Sequence, residues 1–309
     1  MTAKKAGVTP ITCSQGDGTF EFIETATGFK DITTYNNCVQ SGTRQNGVYS
    51  YEQIVSGNKT RYIWIEGNGD QDVNDSNDYV FEMLDTAGAV VTSYKSSGTD
   101  DSTDVLVSEN ATTIVSTTSG SYKAKTTITA AEGSFSLVAN MSGNGNLTET
   151  YTDASTLSGW TGSDEEFVMN GTMALSGSFS GENFGLTFTA KNLKSRDIYS
   201  STANGETGTW EANGSFSTAM SPGNCVDGAF TIKTLVPIRF EDDFSTFQSK
   251  TIEGEVELNG ASRVVMSNNG TDNIVTIFLG TTQVFTGTEA DLLAQTMEDC
   301  PLFGLAGGI

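Results

Sequence analysis

Phe167-Val168-Met169-Asn170-Gly171-Thr172-Met173-Ala174-Leu175 decides the fold. Phe167, Met169, Gly171, Met173 and Leu175 fall on every second position, the period of a strand with one face packed and the other wet. The same rhythm extends both ways. Phe20 and Phe22 alternate around Glu21, then Tyr122, Ala124, Thr126 and Ile128, then Phe135, Leu137, Ala139 and Met141. Downstream come Phe184, Leu186, Phe188 and Ala190, then Trp210, Ala212, Gly214 and Phe216, then Phe230, Ile232, Thr234 and Val236, then Ile252, Gly254, Val256 and Leu258. Tyr62-Ile63-Trp64-Ile65 is apolar at both parities, so that strand is expected to be buried on both sides.

Turn signals separate these runs at Gly143-Asn144-Gly145-Asn146, Asn204-Gly205, Asn259-Gly260 and Asn269-Gly270. Parallel strands would need helical crossovers, which the sequence does not supply. The expectation is an all-β chain: a large antiparallel assembly of hairpin-linked strands, as a sandwich, an open sheet or a partly closed barrel. One helix is expected near the C-terminus. Thr288 is a fitting N-cap with Asp291 three residues on, and Cys300-Pro301 ends the run. Residues 1–18 read as a flexible lead-in, 19–287 as the β domain, and 288–309 as helix and tail. Asn37-Cys38-Val39-Gln40 echoes Asn224-Cys225-Val226-Asp227. If that marks two related halves, their boundary falls near 153–165.

The bulk numbers exclude more than they assign. With 16 Lys and Arg against 38 Asp and Glu, the formal net charge is −22. Such a surface repels nucleic-acid phosphates, so nucleic acid is not an expected partner. No apolar stretch approaches the roughly 20 residues of a membrane-spanning helix. There is no histidine, which removes Ser-His-Asp triads, Cys-His pairs and His-ligated metals. Asp164-Glu165-Glu166 and Glu241-Asp242-Asp243 read as turn or edge charges rather than as a pair of catalytic carboxyls. No enzymatic role and no required cofactor are expected.

Cys13, Cys38, Cys225 and Cys300 form no CxxC pair. Their even number suggests disulfides and an oxidising compartment, with Cys13–Cys38 and Cys225–Cys300 closing the shorter loops. An extracellular, cell-surface or periplasmic location follows. Met1-Thr2-Ala3-Lys4-Lys5 has no leader's apolar segment, so a leader is expected to lie outside this sequence.

One stretch could carry a ligand. In Asn68-Gly69-Asp70-Gln71-Asp72-Val73-Asn74-Asp75-Ser76-Asn77-Asp78, oxygen-bearing side chains recur at Asp70, Asp72, Asn74, Ser76 and Asp78. A loop in this register can present oxygens to calcium, which takes about six to eight of them. The segment resembles the start of an EF-hand loop, but it lacks the turn glycine and has Phe81 where a bidentate Glu would stand. Asp100, Asp101 and Asp104 are candidates to complete a site. The expected function is a structural or adhesive protein, secreted or at the cell surface, that self-associates through its sheet edges or binds a surface glycan or protein. The competing expectation is a binding module that carries an apolar ligand or glycan.

Overall fold

Each hairpin returns the chain beside the strand just laid down, and the result is a meander. The computed structural model describes residues 4–221, 227–246, 248–292 and 294. Seventeen strands form one antiparallel sheet. They are β1 (Lys4–Ile11), β2 (Gln15–Thr25), β3 (Gly28–Gln40), β4 (Thr43–Ser56), β5 (Lys59–Glu66), β6 (Tyr79–Leu84), β7 (Val90–Glu109), β8 (Thr113–Ala130) and β9 (Gly133–Asp153). The second half holds β10 (Ser158–Phe179), β11 (Glu182–Ser201), β12 (Gly205–Ser221), β13 (Gly228–Asp243), β14 (Gln248–Leu258), β15 (Ser262–Asn268), β16 (Asn273–Leu279) and β17 (Thr282–Thr288). Consecutive strands pair in order, with one exception. There β4 forks: its second half pairs with β5 and its first four residues pair with β6, and β7 pairs with both on the far side. Among the described residues β1 pairs only with β2, and β17 only with β16. The described residues therefore form one sheet with two edges.

The register sorts side chains by face, because residues directly opposite each other point the same way. One face carries the apolar rhythm. Phe22–Phe29, Tyr49–Trp64, Phe188–Phe216 and Phe216–Phe230 stack on it with ring centroids 5.2 to 5.8 Å apart. The other face is polar. It carries the ion pairs Lys30–Glu52, Arg44–Glu82, Arg61–Asp101, Lys194–Glu166, Arg196–Asp164, Arg239–Glu253 and Arg263–Glu255.

Four expectations change. Residues 4–18 are not a lead-in: they form β1 and the start of β2. Gly143-Asn144-Gly145-Asn146 is not a turn but the interior of β9. Its glycines serve close approach, since a Cβ on Gly143 would sit 2.2 Å from the tip of the Phe167 ring and one on Gly145 2.5 Å from the Glu166 carbonyl oxygen. Asp164-Glu165-Glu166 lies within β10, between two neighbours, where Arg196 and Lys194 pair with it. The Tyr62–Ile65 strand is not enclosed on both sides, because Trp64 is 42% exposed. The sheet runs unbroken through 153–165, where β9 and β10 pair along their lengths.

The expected cap is present. The Asp291 carboxylate accepts from the Thr288 N–H at 2.9 Å and the Asp291 N–H donates to Thr288 Oγ1 at 3.1 Å, with residues 289–292 helical beyond it. Cys13 and Cys38 form a disulfide. Cys225, Cys300 and most of 288–309 lie outside the described residues.

Candidate functional site

Two features stand apart from ordinary packing: the bare apolar face and the loop in the fork of β4.

The described residues lay no second layer over the apolar face. Among the described residues the buried hydrophobic side chains include five alanines, while the largest wholly buried side chains are Asp78, Cys38, Ser96 and Ser97. None of these is aromatic or a large aliphatic. Met83, Tyr122 and Met173 on the apolar face are 50%, 41% and 39% exposed. The chain exposes 17323 Å2 in all. A folded monomer of 32.7 kDa is expected to expose about 12,400 Å2. At the ceiling for an unfolded chain, the 25 residues outside the described set account for about 3,800 Å2. The remaining chain still exceeds its own expectation by about 1,800 Å2.

Several carboxylates stand on this face among the rings. Asp100 lies opposite Trp64 and Tyr122, and Asp197 opposite Trp210 and Glu165. Burial pushes both above the usual carboxylate range, with Asp101 adding to the rise at Asp100 and Glu165 at Asp197. Burial likewise pushes Tyr79, packed against Tyr49 and Tyr94, up to about 12. The face is thus partly dried by its own aromatic side chains.

A line of register shifts creases the sheet between β10 and β14. Beside it, Phe167, Met169, Leu193, Trp210, Phe216 and Ile232 line an apolar cleft of about 390 Å3. At one end of the sheet an acidic basin brings Glu206, Glu241, Asp242, Asp243, Asp272 and Glu289 around Lys250.

The fork loop, residues 67–78, leaves β5 where β4 changes partner. The Gly67 N–H donates to the Val48 carbonyl at 2.8 Å and the Val48 N–H to the Asn77 carbonyl at 3.2 Å, closing both ends of the loop onto β4. Gln71 Nε2 reaches across the sheet to the Ala139 carbonyl at 2.6 Å. Val73 is buried. The five predicted ligands do not converge. Asp70 Oδ1 accepts from the Asp72 N–H at 2.9 Å and from Ser97 Oγ at 3.1 Å, which hold its carboxyl below the usual range. Asp72 Oδ1 accepts from Asn74 Nδ2 at 2.6 Å. Asp70, Asp72, Asn74 and Ser76 are exposed, whereas Asp78 is 1% exposed. Asp101 is taken by Arg61, Asp100 stands on the apolar face, and Asp104 lies across from Thr60 and Thr118. None of these three completes a site. Among the described residues no group of three or more Cys, Asp or Glu is placed to hold a metal. Sequence reasoning missed Ser97, a residue of β7 that the fold carries to the loop. Nothing in the spacing of 68–78 points to it.

No protein-family model, curated protein or solved structure matches this chain.

Proposed function

We propose that this chain is a structural protein outside the cell that assembles with further copies of itself by laying apolar sheet faces together. The uncovered apolar face carries the reading. An excess of about 1,800 Å2 on one chain is about twice the roughly 800 Å2 that each partner buries in an interface of standard size, and falls in the range of large homodimer interfaces. The Cys13–Cys38 disulfide fits an oxidising compartment, and no described helix is long and apolar enough to cross a membrane. The two edges differ in how they are guarded. Edge strand β1 reads Lys-Lys-Ala-Gly-Val-Thr-Pro-Ile, with lysines, a proline and a register shift that discourage pairing. Edge strand β17, Thr-Gln-Val-Phe-Thr-Gly-Thr, carries no charge and no proline.

The net charge of −22 opposes assembly at low ionic strength, and about 0.15 M salt shortens that repulsion to about 8 Å. Analytical ultracentrifugation at that salt is expected to show mass rising with concentration. Trp64→Glu on the apolar face should abolish the rise, and Thr103→Glu on the polar face should not. A monomer at every concentration overturns the reading.

The creased cleft favours a second reading, in which an apolar small molecule seats beside Trp210 and Phe216. Native mass spectrometry of the purified chain separates the two: a retained small-molecule mass supports the cleft, and a multiple of the chain mass supports assembly.

A further inference from the structure

Asp78 is the most enclosed carboxylate of the fork loop, and one of its oxygens is unsatisfied. Oδ2 accepts the Asp75 N–H at 2.7 Å. Oδ1 is buried and has no hydrogen-bond partner. A buried polar atom left this way costs free energy that a native fold normally avoids, so its surroundings bear on what it is for. Burial, and then the charges of Asp75, Asp70 and Asp72, push its carboxyl up against the pull of the Asp75 N–H.

Oδ1 lies beside Gly67. A Cβ built on Gly67 would stand 3.0 Å from Asp78 Oδ1 and 3.2 Å from Ser97 Oγ, so the missing side chain leaves open the space between those two oxygens. Gly67 also holds a φ of +62°, which disfavours any other residue. Ser97 is wholly buried, and its hydroxyl donates to Asp70 Oδ1. Asp78 Oδ1 and Ser97 Oγ therefore border one small recess, and the Ser97 hydroxyl links it to the exposed Asp70 carboxylate. Residues 67–78 contain four Asp and no Lys or Arg, and among the described residues no ion pair ends in this loop.

We propose that this recess is a divalent-cation site of the calcium class, with Asp78 Oδ1, Asp70 and Ser97 Oγ as protein ligands. Hard oxygen donors of mixed type, in a loop rather than a rigid cage, suit calcium better than magnesium, which demands near-ideal octahedral geometry. Two carboxylates make a weak site, with dissociation expected at about 10⁻⁴ to 10⁻³ M, the range of extracellular modules. The proposal keeps Asp70 and Asp78 of the five alternating residues, drops Asp72, Asn74 and Ser76, and adds Ser97 from β7; it stands independently of the assembly reading.

The test uses the full chain, treated with EDTA and kept at a concentration where sedimentation shows monomer, so that assembly does not enter the readout. Calcium chloride is titrated to millimolar levels while melting temperature and calorimetric heat are followed. The wild type is expected to bind with measurable heat and to melt about 2–5 °C higher in saturating calcium. Asp78→Asn removes the buried charge but keeps an acceptor for the Asp75 N–H. It should melt higher than the wild type without calcium and show no calcium response. Asp242→Asn, in the acidic basin, should respond as the wild type does. Should Asp78→Asn fail to fold, Asp70→Asn is expected to lose at least tenfold in calcium affinity. The site is overturned if the wild type neither releases heat nor shifts, or if Asp78→Asn or Asp70→Asn responds like the wild type. An unresponsive wild type beside a higher-melting Asp78→Asn assigns the lone oxygen to a proton.

Discussion

Phe216 is the ring on which the apolar face can be weighed. It stands in β12 between Phe188 and Phe230, with centroids 5.8 and 5.2 Å away and planes within 29° of parallel. Truncating a fully enclosed Phe to Ala costs about 3–5 kcal/mol. Phe216 is half-buried in the single chain, so roughly 2 kcal/mol of that applies. Its two half-exposed stacks add about 0.5 kcal/mol each, the low end for aromatic pairs. Phe216→Ala should therefore destabilise the monomer by about 3 kcal/mol. If a second copy covers the face, the enclosed value applies and the cost rises to about 5 kcal/mol. The assay is urea unfolding at a low protein concentration and at one a hundredfold higher. A difference of about 2 kcal/mol corresponds to a midpoint shift of under 1 M at a slope near 3 kcal/mol/M. Ser217→Ala, the neighbour on the polar face, should stay within about 0.5 kcal/mol at both concentrations. A Phe216→Ala cost below about 1 kcal/mol would refute the stacked face. A cost independent of concentration would refute its burial by a second copy.

Other expectations follow from named contacts. Cys13 and Cys38 are 25 residues apart; replacing both by Ser should cost roughly 3.5 kcal/mol through the freed unfolded chain, read by denaturation with and without reductant. Gly143→Ala drives a methyl into the Phe167 ring and should cost about 1–3 kcal/mol, with Phe167→Leu recovering part of the loss in a double-mutant cycle. Because burial raises Asp100 and Asp197, the folded chain binds their protons more tightly than the unfolded chain does. Their contribution to stability falls as pH rises from about 3.8 through the raised values. Asp101 and Asp164, held down by Arg61 and Arg196, act oppositely, contributing above about 3.8 and losing that contribution as pH falls through their lowered values. Asp197→Asn should thus gain stability at pH 7 relative to pH 4; an equal effect at both would exclude the linkage. The Arg196–Asp164 pair is about 41% exposed on both sides, so breaking it should cost no more than about 1 kcal/mol in chemical denaturation.

The period-two rhythm made the strands, their antiparallel order and the two faces legible, because alternation is a local property. Closure was not legible, since the edges are defined by which strands lack a neighbour, and the rhythm is the same in a sandwich. Gly143 and Gly145 misled for a related reason: a glycine that turns the chain and one that clears space for Phe167 look alike without the opposite strand. The fork loop was found through its acidic side chains. Its recess was not, because Ser97 is brought there by β7 pairing with both β5 and β6.

The asparagines explain how so long a sheet keeps its faces apart. One extra residue in a strand sends every later side chain to the wrong face, so each bulge must be placed and its freed amide satisfied. In β3 the residues before Asn37 meet the apolar face at odd positions, and Cys38 beyond it meets that face at an even one. Asn37 takes the left-handed conformation, φ +50°, and its N–H donates to Asn46 Oδ1 across the strand at 3.2 Å. In β11 the same switch occurs between Ala190 and Leu193; Asn192 has φ +48° and donates to Asn170 Oδ1 at 2.7 Å. Two distant bulges use one device: an Asn that tolerates the left-handed turn and a cross-strand Asn that accepts its amide. The first delivers Cys38 to the face where it is 1% exposed and bonded to Cys13. The second carries Leu193 to the cleft beside Phe167 and Trp210. Asn170→Ala should therefore strand a backbone N–H and loosen the cleft together. Faster hydrogen exchange at Asn192, with β3 unaffected, is the expected signature. Unchanged exchange there would show that the bulge does not need its asparagine partner.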